Sequence, residues 1–202
     1  MLLHILQITA TYLVRFLIVY AVIGLMENIT HRHLMHYKKL ANYFNSPYLA
    51  SCVEDHMVHH RCYKLFDHEE GSCGLLFLGI RCTTELASVA LPALICLYFD
   101  WITPVIFVVV APLHAILWTT IHTEMHRRKG TWFRKTWLFK KMARHHFLHH
   151  RHMNTNYSGF FLGWDWILGT HAKETAEDRE AMTHEHWVIR PQRAQRVSEQ
   201  PA

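Results

Sequence analysis

The sequence predicts an all-α integral membrane protein, a helical bundle of about three to four spans with a histidine-rich helical cap on its cytoplasmic side. Three long apolar stretches predict the spans, the placement of lysine and arginine predicts their orientation, and histidine clusters predict the cap. The 202 residues fit one domain. We place a membrane domain at residues 1–172 and a polar tail at residues 173–202. Half of the chain is hydrophobic and 18% is charged, which excludes an intrinsically disordered protein.

The first apolar stretch, residues 2–26, has Arg15 as its one formal charge. As a helix it measures roughly 37 Å, enough to cross a bilayer with some tilt. A cleaved signal peptide is the alternative interpretation. No basic segment precedes the apolar run, and no small-x-small cleavage site precedes Glu27, so we favour a span.

The second and third apolar stretches, residues 75–99 and 102–121, predict a helical hairpin. Residues 100–104 form a turn signal between them, in which Trp101 is a candidate anchor at the membrane interface. A soluble protein with three buried core helices is the alternative. Apolar runs of this length with almost no polar face argue against it.

Lysine and arginine predict which side of the bundle faces the cytoplasm. If the first helix crosses once and the hairpin goes out and back, residues 27–74 and everything after residue 122 share one side. The four N-terminal residues and the turn at 100–104 contain no lysine or arginine, so the basic side is predicted to be cytoplasmic. The net charge of +5 then indicates a membrane face rather than nucleic acid. The basic side holds Arg32, Lys38, Lys39, Arg61, Lys64, Arg127, Arg128, Lys129, Arg134, Lys135, Lys140, Lys141, Arg144 and Arg151.

Histidine is the outlier of the composition, with 19 in 202 residues. Most of them fall into four clusters, at residues 31–36, 56–60, 122–126 and 145–150, and two of these share the pattern HxxHH. On a helix, positions i, i+3 and i+4 share a face, so this pattern directs three imidazoles one way. The helices that carry the two patterns are predicted to be amphipathic, with basic outer faces lying on the membrane surface. The apolar stripes expected on them are Leu49, Cys52 and Val53 before the second cluster, and Trp132, Phe139 and Met142 before the fourth.

Three histidines do not fit this simple pattern: His33, His145 and His114. His31 and His36 are five residues apart, so a regular helix would pair His33 with His36, and the use of His31 requires a helix end or a local bulge. His145 lies about 100° from the stripe and is left out of the predicted ligands. His114 shares a helix face with His122 but lies deeper in the predicted span, as either a pocket residue or a core histidine. The other single histidines are predicted to be structural or on the surface: His4, His68, His152, His171, His184 and His186.

The clusters indicate metal binding. Ten imidazole nitrogens are too many for one tetrahedral zinc ion and suit two metal ions, while the ligand type alone leaves iron, zinc, copper and nickel open. The sequence contains no HExxH, no GxSxG and no phosphate-binding glycine loop. Its five cysteines lack a CxxC pair and are interpreted as reduced thiols.

At these residues the chain resembles the fatty acid hydroxylase superfamily of integral membrane proteins, which includes sterol desaturases and acyl-chain hydroxylases. The resemblance covers residues 27–171. It rests on HRxxxH at residues 31–36, the two HxxHH patterns at 56–60 and 146–150, HxxxH at 122–126, Asn156-Tyr157, and the closing WDWILGT at 164–170. The ten metal ligands that the resemblance implies are His31, His36, His56, His59, His60, His122, His126, His146, His149 and His150.

The resemblance also implies roles beyond the ligands. Asp165, Asn156 and Tyr157 are candidate catalytic residues, with Asn154 as the alternative to Asn156. Asp165 is expected either to orient a ligand imidazole or to cap a helix. The stretch between His150 and Asn156 is slightly longer than the family pattern.

The implied reaction is dioxygen-dependent hydroxylation of a lipid C–H bond at two iron ions, with zinc as an alternative metal in the protein as isolated. Such a bond is not acidic, so a redox-active metal is needed. No HPGG or GxGxxG motif is present, so a separate b-type cytochrome, or a ferredoxin with its reductase, is the implied electron donor. A lipid desaturase and a carotenoid ring hydroxylase are alternatives of the same chemistry. A metal transporter and a catalytically inactive scaffold are alternatives of other classes.

Overall fold

The computed structural model describes residues 1–62, 75–127 and 129–183, and all the regular elements in these ranges are helical. The predicted all-α class is therefore confirmed for them. Predictions that fall on Lys64, His68, Arg128, His184 and His186 lie outside the described residues. In chain order the elements are α1 (Leu2–Thr30), a π-helical segment (His31–Met35), α2 (Lys39–Tyr43), α3 (Pro47–Cys62), α4 (Leu75–Leu97), α5 (Ile102–His126), a 3₁₀ turn (Trp132–Lys135), α6 (Trp137–Arg151), α7 (Gly163–Ile167) and α8 (Ala176–Thr183).

Helices α1, α4 and α5 pack together into a three-helix bundle. At the end of this bundle away from the histidines, Arg15 Nη1 donates to Asp100 Oδ1 at 3.2 Å. Asp100 Oδ1 also accepts from the backbone N–H of Thr103 at 2.8 Å, which fixes the predicted turn between α4 and α5. The buried apolar core of the bundle consists of Val19, Ile23, Val89, Phe107 and Ala111.

Two stretches of described helix are long and apolar enough to cross a membrane, Leu2–Met35 and Ile102–His126. Large apolar side chains on both point outwards, for example Leu17 and Val108, which are 54% and 59% exposed. The second predicted span forms α4, which carries Arg81 and is not one of the two. The count of three to four spans therefore stays a prediction.

The cap consists of the shorter helices that follow the bundle helices. α3 begins at Pro47, a residue that suits the first position of a helix, and Ser46 Oγ accepts from the N–H of Leu49 at 3.3 Å. α6 begins at Trp137 after Thr136, whose Oγ1 accepts from the N–H of Phe139 at 3.2 Å. A second buried core joins α5 to α6 and consists of Ile121, Met125, Phe139, Met142 and Ala143.

Two details of the cap differ from the sequence prediction. Trp132 does not share the apolar stripe of α6, because the chain forms a separate 3₁₀ turn there and the indole is 75% exposed. Arg134, predicted among the basic residues of the membrane face, is buried instead. Its Nε donates to Glu124 Oε1 at 3.0 Å, so this arginine joins the end of α5 to the 3₁₀ turn.

Helix α8 lies at the start of the predicted polar tail and is docked against α6. Met182 is fully buried against Leu148 of α6 and Ala172. The Asp178 carboxylate is also fully buried and accepts from Arg151 Nε at 2.7 Å and from His152 Nε2 at 3.0 Å. The start of the polar tail is thus fastened to the end of α6, directly beside the fourth histidine cluster.

Candidate metal centre

Nine of the ten predicted ligands converge into two groups in the structure. Within each group, one possible ligand atom from every residue lies within 4.8 Å of the others. The imidazoles of His60 and His150, one from each group, are 4.4 Å apart between ring centroids, so the two groups are neighbours. The first group consists of His31, His36, His56, His60 and His149. The second group consists of His59, His126, His146 and His150.

The distances inside the first group fit ligands that share one cation. His56 Nε2 lies 3.0 Å from the Nε2 atoms of His31, His36 and His60. A neutral imidazole has one N–H, so hydrogen bonds among these rings cannot satisfy three such contacts at one nitrogen. Two nitrogens bound about 2.1 Å from one ion at right angles would be about 3.0 Å apart, which matches.

The second group has the same spacing. His146 Nε2 lies 3.2 Å from His126 Nε2 and 3.1 Å from His150 Nε2. His126 and His146 are buried, and His150 is half-buried. Both groups therefore present imidazole nitrogens to a small shared volume that is mostly shielded from solvent.

The two HxxHH patterns divide their histidines between the groups in the same way. On α3, His56 and His60 serve the first group and His59 serves the second. On α6, His146 and His150 serve the second group and His149 serves the first. In each helix the i and i+4 positions face one group and the i+3 position faces the other. α3 thus gives two histidines to the first group and one to the second, and α6 gives one to the first group and two to the second.

His122 is the tenth predicted ligand and lies at the edge of the second group. Its ring centroid is 4.9 Å from that of His59, 4.7 Å from that of His126 and 4.8 Å from that of His146. His122 therefore borders the second group without belonging to it, so the first group has five imidazoles and the second has four.

The structure resolves the conflict between His31 and His33. Residues His31–Met35 are π-helical, and a π turn places residues five apart on one face, so His31 and His36 point together. His33 is exposed, and its ring contacts Tyr37 instead of the centre. The π turn is the local bulge that the sequence analysis required for the use of His31 in place of His33.

Backbone carbonyls orient two of the rings. His31 Nδ1 lies 2.6 Å from the carbonyl oxygen of Tyr157, and His149 Nδ1 lies 2.6 Å from that of Thr155. In each pair Nδ1–H donates to the carbonyl, which leaves the Nε2 lone pair free to face the group. The loop after α6 thus sets the tautomer of one ligand from α6 and one from the π-helical segment.

The imidazoles outside the bundle helices are held neutral. Burial lowers the pKa of His36 to about 4 and, together with neighbouring histidines, lowers the pKa of His59 and His60 to about 3. Burial and neighbouring histidines of the two groups also lower the pKa of four further imidazoles, those of His56, His146, His149 and His150. Metal binding requires the neutral form, so these side chains are prepared as ligands near neutral pH.

Asp165 plays a different part from the predicted one. Its buried carboxylate contacts His145, which belongs to neither group, rather than a grouped histidine, and its other bonds are not those of a helix cap. It accepts from the backbone N–H groups of Tyr157 and Ser158 at 2.9 Å each. Asp165 therefore holds the backbone whose Tyr157 carbonyl orients His31. Its other donors are Asn28 Nδ2 at 3.1 Å, Thr170 Oγ1 at 2.7 Å and His145 Nε2 at 2.9 Å.

Asn156 and Tyr157 occupy different places. The side chain of Asn156 donates to the carbonyl of His145 and accepts from the N–H of Ala172, so both ends of this amide fasten the loop. Its φ of 54° lies in the left-handed region, which asparagine tolerates better than most residues. The ring of Tyr157 forms a wall of the first group, with its centroid 5.2 Å from that of His36, whereas Asn154 is exposed.

Sequence reasoning missed three residues that support the centre. Asn28 donates to both Ser158 and Asp165, and Tyr37 lies beside the Tyr157 hydroxyl at 3.4 Å. Glu27 accepts from the N–H of Gly159 at 3.2 Å. The sequence signal for two of them was the adjacent polar pair Glu27 and Asn28 near the end of an otherwise apolar helix, where polar side chains need hydrogen-bond partners.

No protein-family model, no curated protein and no solved structure matches the chain. The chemistry of the site therefore follows from the residues themselves. Two neighbouring sets of neutral, convergent imidazoles fit one or two metal ions, and imidazole alone does not select which metal.

Proposed function

We propose that the protein is a membrane-bound, non-haem di-iron oxygenase that hydroxylates a C–H bond of a lipid, as a member of the fatty acid hydroxylase superfamily. The main support is the pairing of two adjacent imidazole groups at one end of two helices long and apolar enough to cross a membrane. A transporter needs ligands spread through the depth of its spans. Here the grouped histidines all lie at one end.

Two iron ions bound by the two groups would supply the oxidising power for hydrogen-atom abstraction from an unactivated C–H bond. The balanced reaction converts the lipid C–H bond, dioxygen, two electrons and two protons into a lipid C–OH and water. The electrons come from a separate b-type cytochrome, or from a ferredoxin with its reductase. The chain itself holds the imidazoles neutral and orients them through the carbonyls of Thr155 and Tyr157. Exposed apolar side chains on α1 and α5 would keep this centre next to the acyl chains of the cytoplasmic leaflet.

The test is expression of the full chain in a lipid-producing host, followed by mass spectrometry of total lipids. Wild type is compared with His149→Ala, which removes a buried member of the first group, and with His33→Ala, which removes an exposed histidine outside both groups. We expect a lipid gain of one oxygen with wild type and with His33→Ala, and no gain with His149→Ala.

Other outcomes separate the alternatives. A loss of two hydrogens in place of the oxygen gain would indicate a desaturase of the same architecture. No lipid change with an electron donor present, together with metal-dependent ion flux in vesicles, would replace the proposal with a transporter.

A further inference from the structure

A second polar cluster lies inside the helical bundle, apart from the metal centre. It joins Glu27 of α1, Glu85 of α4 and His114 of α5, and we call these three residues the acid–imidazole cluster. His114 Nε2 lies 3.5 Å from Glu27 Oε2, and the two residues are only 3% and 9% exposed. Glu85 is near enough to interact electrostatically with both. Two of the three residues belong to the helices that are long enough to cross a membrane.

The cluster is incompletely hydrogen-bonded. Within the described ranges, Nδ1 of His114 and Oε1 of Glu85 are buried without a hydrogen-bond partner. Nε2 of His114 has Glu27 Oε2 at 3.5 Å, an ion-pair contact. A buried polar group without a partner costs about 1–3 kcal/mol, so unpaired atoms together in an apolar bundle indicate an occupant that pairs with them.

The cluster is connected to the metal centre by aromatic side chains. The ring of His114 contacts Phe160 at 5.3 Å, Phe160 contacts Trp118 at 6.1 Å, and Trp118 contacts His122 at 5.5 Å between centroids. Along α5, His114 lies eight residues before His122, a rise of about 12 Å. The three contacts make a continuous row of rings between the cluster and the histidines.

The donor and acceptor pattern indicates which ligand fits. Carboxylates accept hydrogen bonds, and a neutral imidazole donates one and accepts one. A hydroxyl group also donates and accepts, so it can pair with both kinds of partner, whereas an ammonium group can only donate. A metal ion is disfavoured, because in the described chain the convergent ligand sets are the two histidine groups and do not include this cluster.

We propose that the acid–imidazole cluster binds the hydroxyl group of a lipid alcohol, whose hydrocarbon chain lies along Phe160 and Trp118. Hydroxyl binding needs no metal. If the proposed oxygenase function also holds, the cluster fixes which carbon is oxidised, since it anchors the substrate about 12 Å from the centre along α5.

The test measures binding of tritiated hexadecanol and of its methyl ether to the detergent-solubilised full chain by equilibrium dialysis. The ether retains the chain and the oxygen but cannot donate a hydrogen bond. We expect wild type to bind the alcohol about tenfold more tightly than the ether, as the gain of a hydrogen bond to a charged group predicts. Equal binding of the two probes by wild type would overturn the proposal and leave internal water as the occupant.

Variants then locate the site. Glu85→Gln and His114→Phe should each reduce the preference for the alcohol to less than threefold, while Thr120→Ala, on the exposed face of α5, should retain it. An unchanged preference in both cluster variants would place hydroxyl binding elsewhere and refute the assignment. Preferential binding without any lipid oxidation would leave this inference intact and count against the oxygenase function alone.

Discussion

The Nε2 atom of His56 has three imidazole nitrogens at 3.0 Å, more contacts than hydrogen bonds between neutral rings can satisfy. Without a cation, the four lone pairs in this space would repel one another. The same side chain is half-buried and kept neutral by its surroundings. A cation that stabilises these rings is the simplest physical reason for their convergence.

Replacement of His56 by alanine should therefore reduce the metal content of the purified protein. We expect a loss of about one metal ion per chain, because the first group loses its central ligand while the second retains all of its members. Inductively coupled plasma mass spectrometry measures the content. His33→Ala is the matched control and should keep the wild-type value. An unchanged metal content in His56→Ala would disprove the ligand assignment.

Asp165 shows how strongly a single carboxylate can organise the loop behind the centre. Its two oxygens accept from five donors, and the residue has no exposed surface. We expect Asp165→Asn to lower the free energy of unfolding by roughly 3 kcal/mol, because the amide turns two hydrogens towards donors that need an acceptor. Thermal unfolding measures this loss, and Asp55→Asn, an exposed carboxylate on α3, is the control. Equal melting temperatures for Asp165→Asn and wild type would contradict this role.

At the scale of the element, the π-helical segment explains a spacing that regular helix geometry cannot use. His31 and His36 are separated by five residues, about 140° apart on an α-helix, and the π turn removes this offset. Sequence periodicity could predict α3 and α6 and the common face of their histidines, because those patterns fit 3.6 residues per turn. It could not predict the π turn, since the loop contacts of His31 with Tyr157 arise only in the folded chain.

The length of this segment gives a direct test. Insertion of one alanine between His33 and Leu34 should separate His31 from His36 and reduce metal binding to the first group. Deletion of Leu34 should preserve it, because an α turn also places residues i and i+4 on one face. Metal content and thermal stability of the two variants are compared. Greater metal loss from the deletion than from the insertion would refute the geometric role of the π turn.

The sequence also could not predict that each HxxHH helix contributes histidines to both groups. The pattern predicted three imidazoles on one face, which is what α3 and α6 provide. How the i+3 histidine is assigned depends on where α3 and α6 lie relative to each other. That relation depends on the packing of α3 against the π-helical segment and of α6 against α5, and a periodicity analysis sees neither.

At the scale of the whole molecule, the two ends of the bundle differ in chemistry. The end away from the centre carries the Arg15–Asp100 pair and the exposed Trp101, while the end with the centre carries exposed lysines such as Lys38 and Lys129. Positive charge concentrates beside the histidines, and the positive-inside rule predicts a cytoplasmic position for such a side. Outward apolar side chains of α5, such as Val108, and those of α1 that follow Arg15, such as Leu17, lie between the two ends.

This polarity predicts labelling from opposite sides of the membrane. In a chain whose natural cysteines are replaced by alanine, a cysteine at Trp101 should react with a membrane-impermeant maleimide in intact cells. A cysteine at Lys38 should react only after permeabilisation, because it follows the π-helical segment on the side of the centre. A cysteine at Val108, on the outward apolar face of α5, should stay unlabelled in both conditions, since thiolate formation is suppressed in hydrocarbon. Labelling of the first two positions from the same side would place the imidazole groups and the turn in one compartment, and the proposed position of the centre at the cytoplasmic leaflet would be wrong.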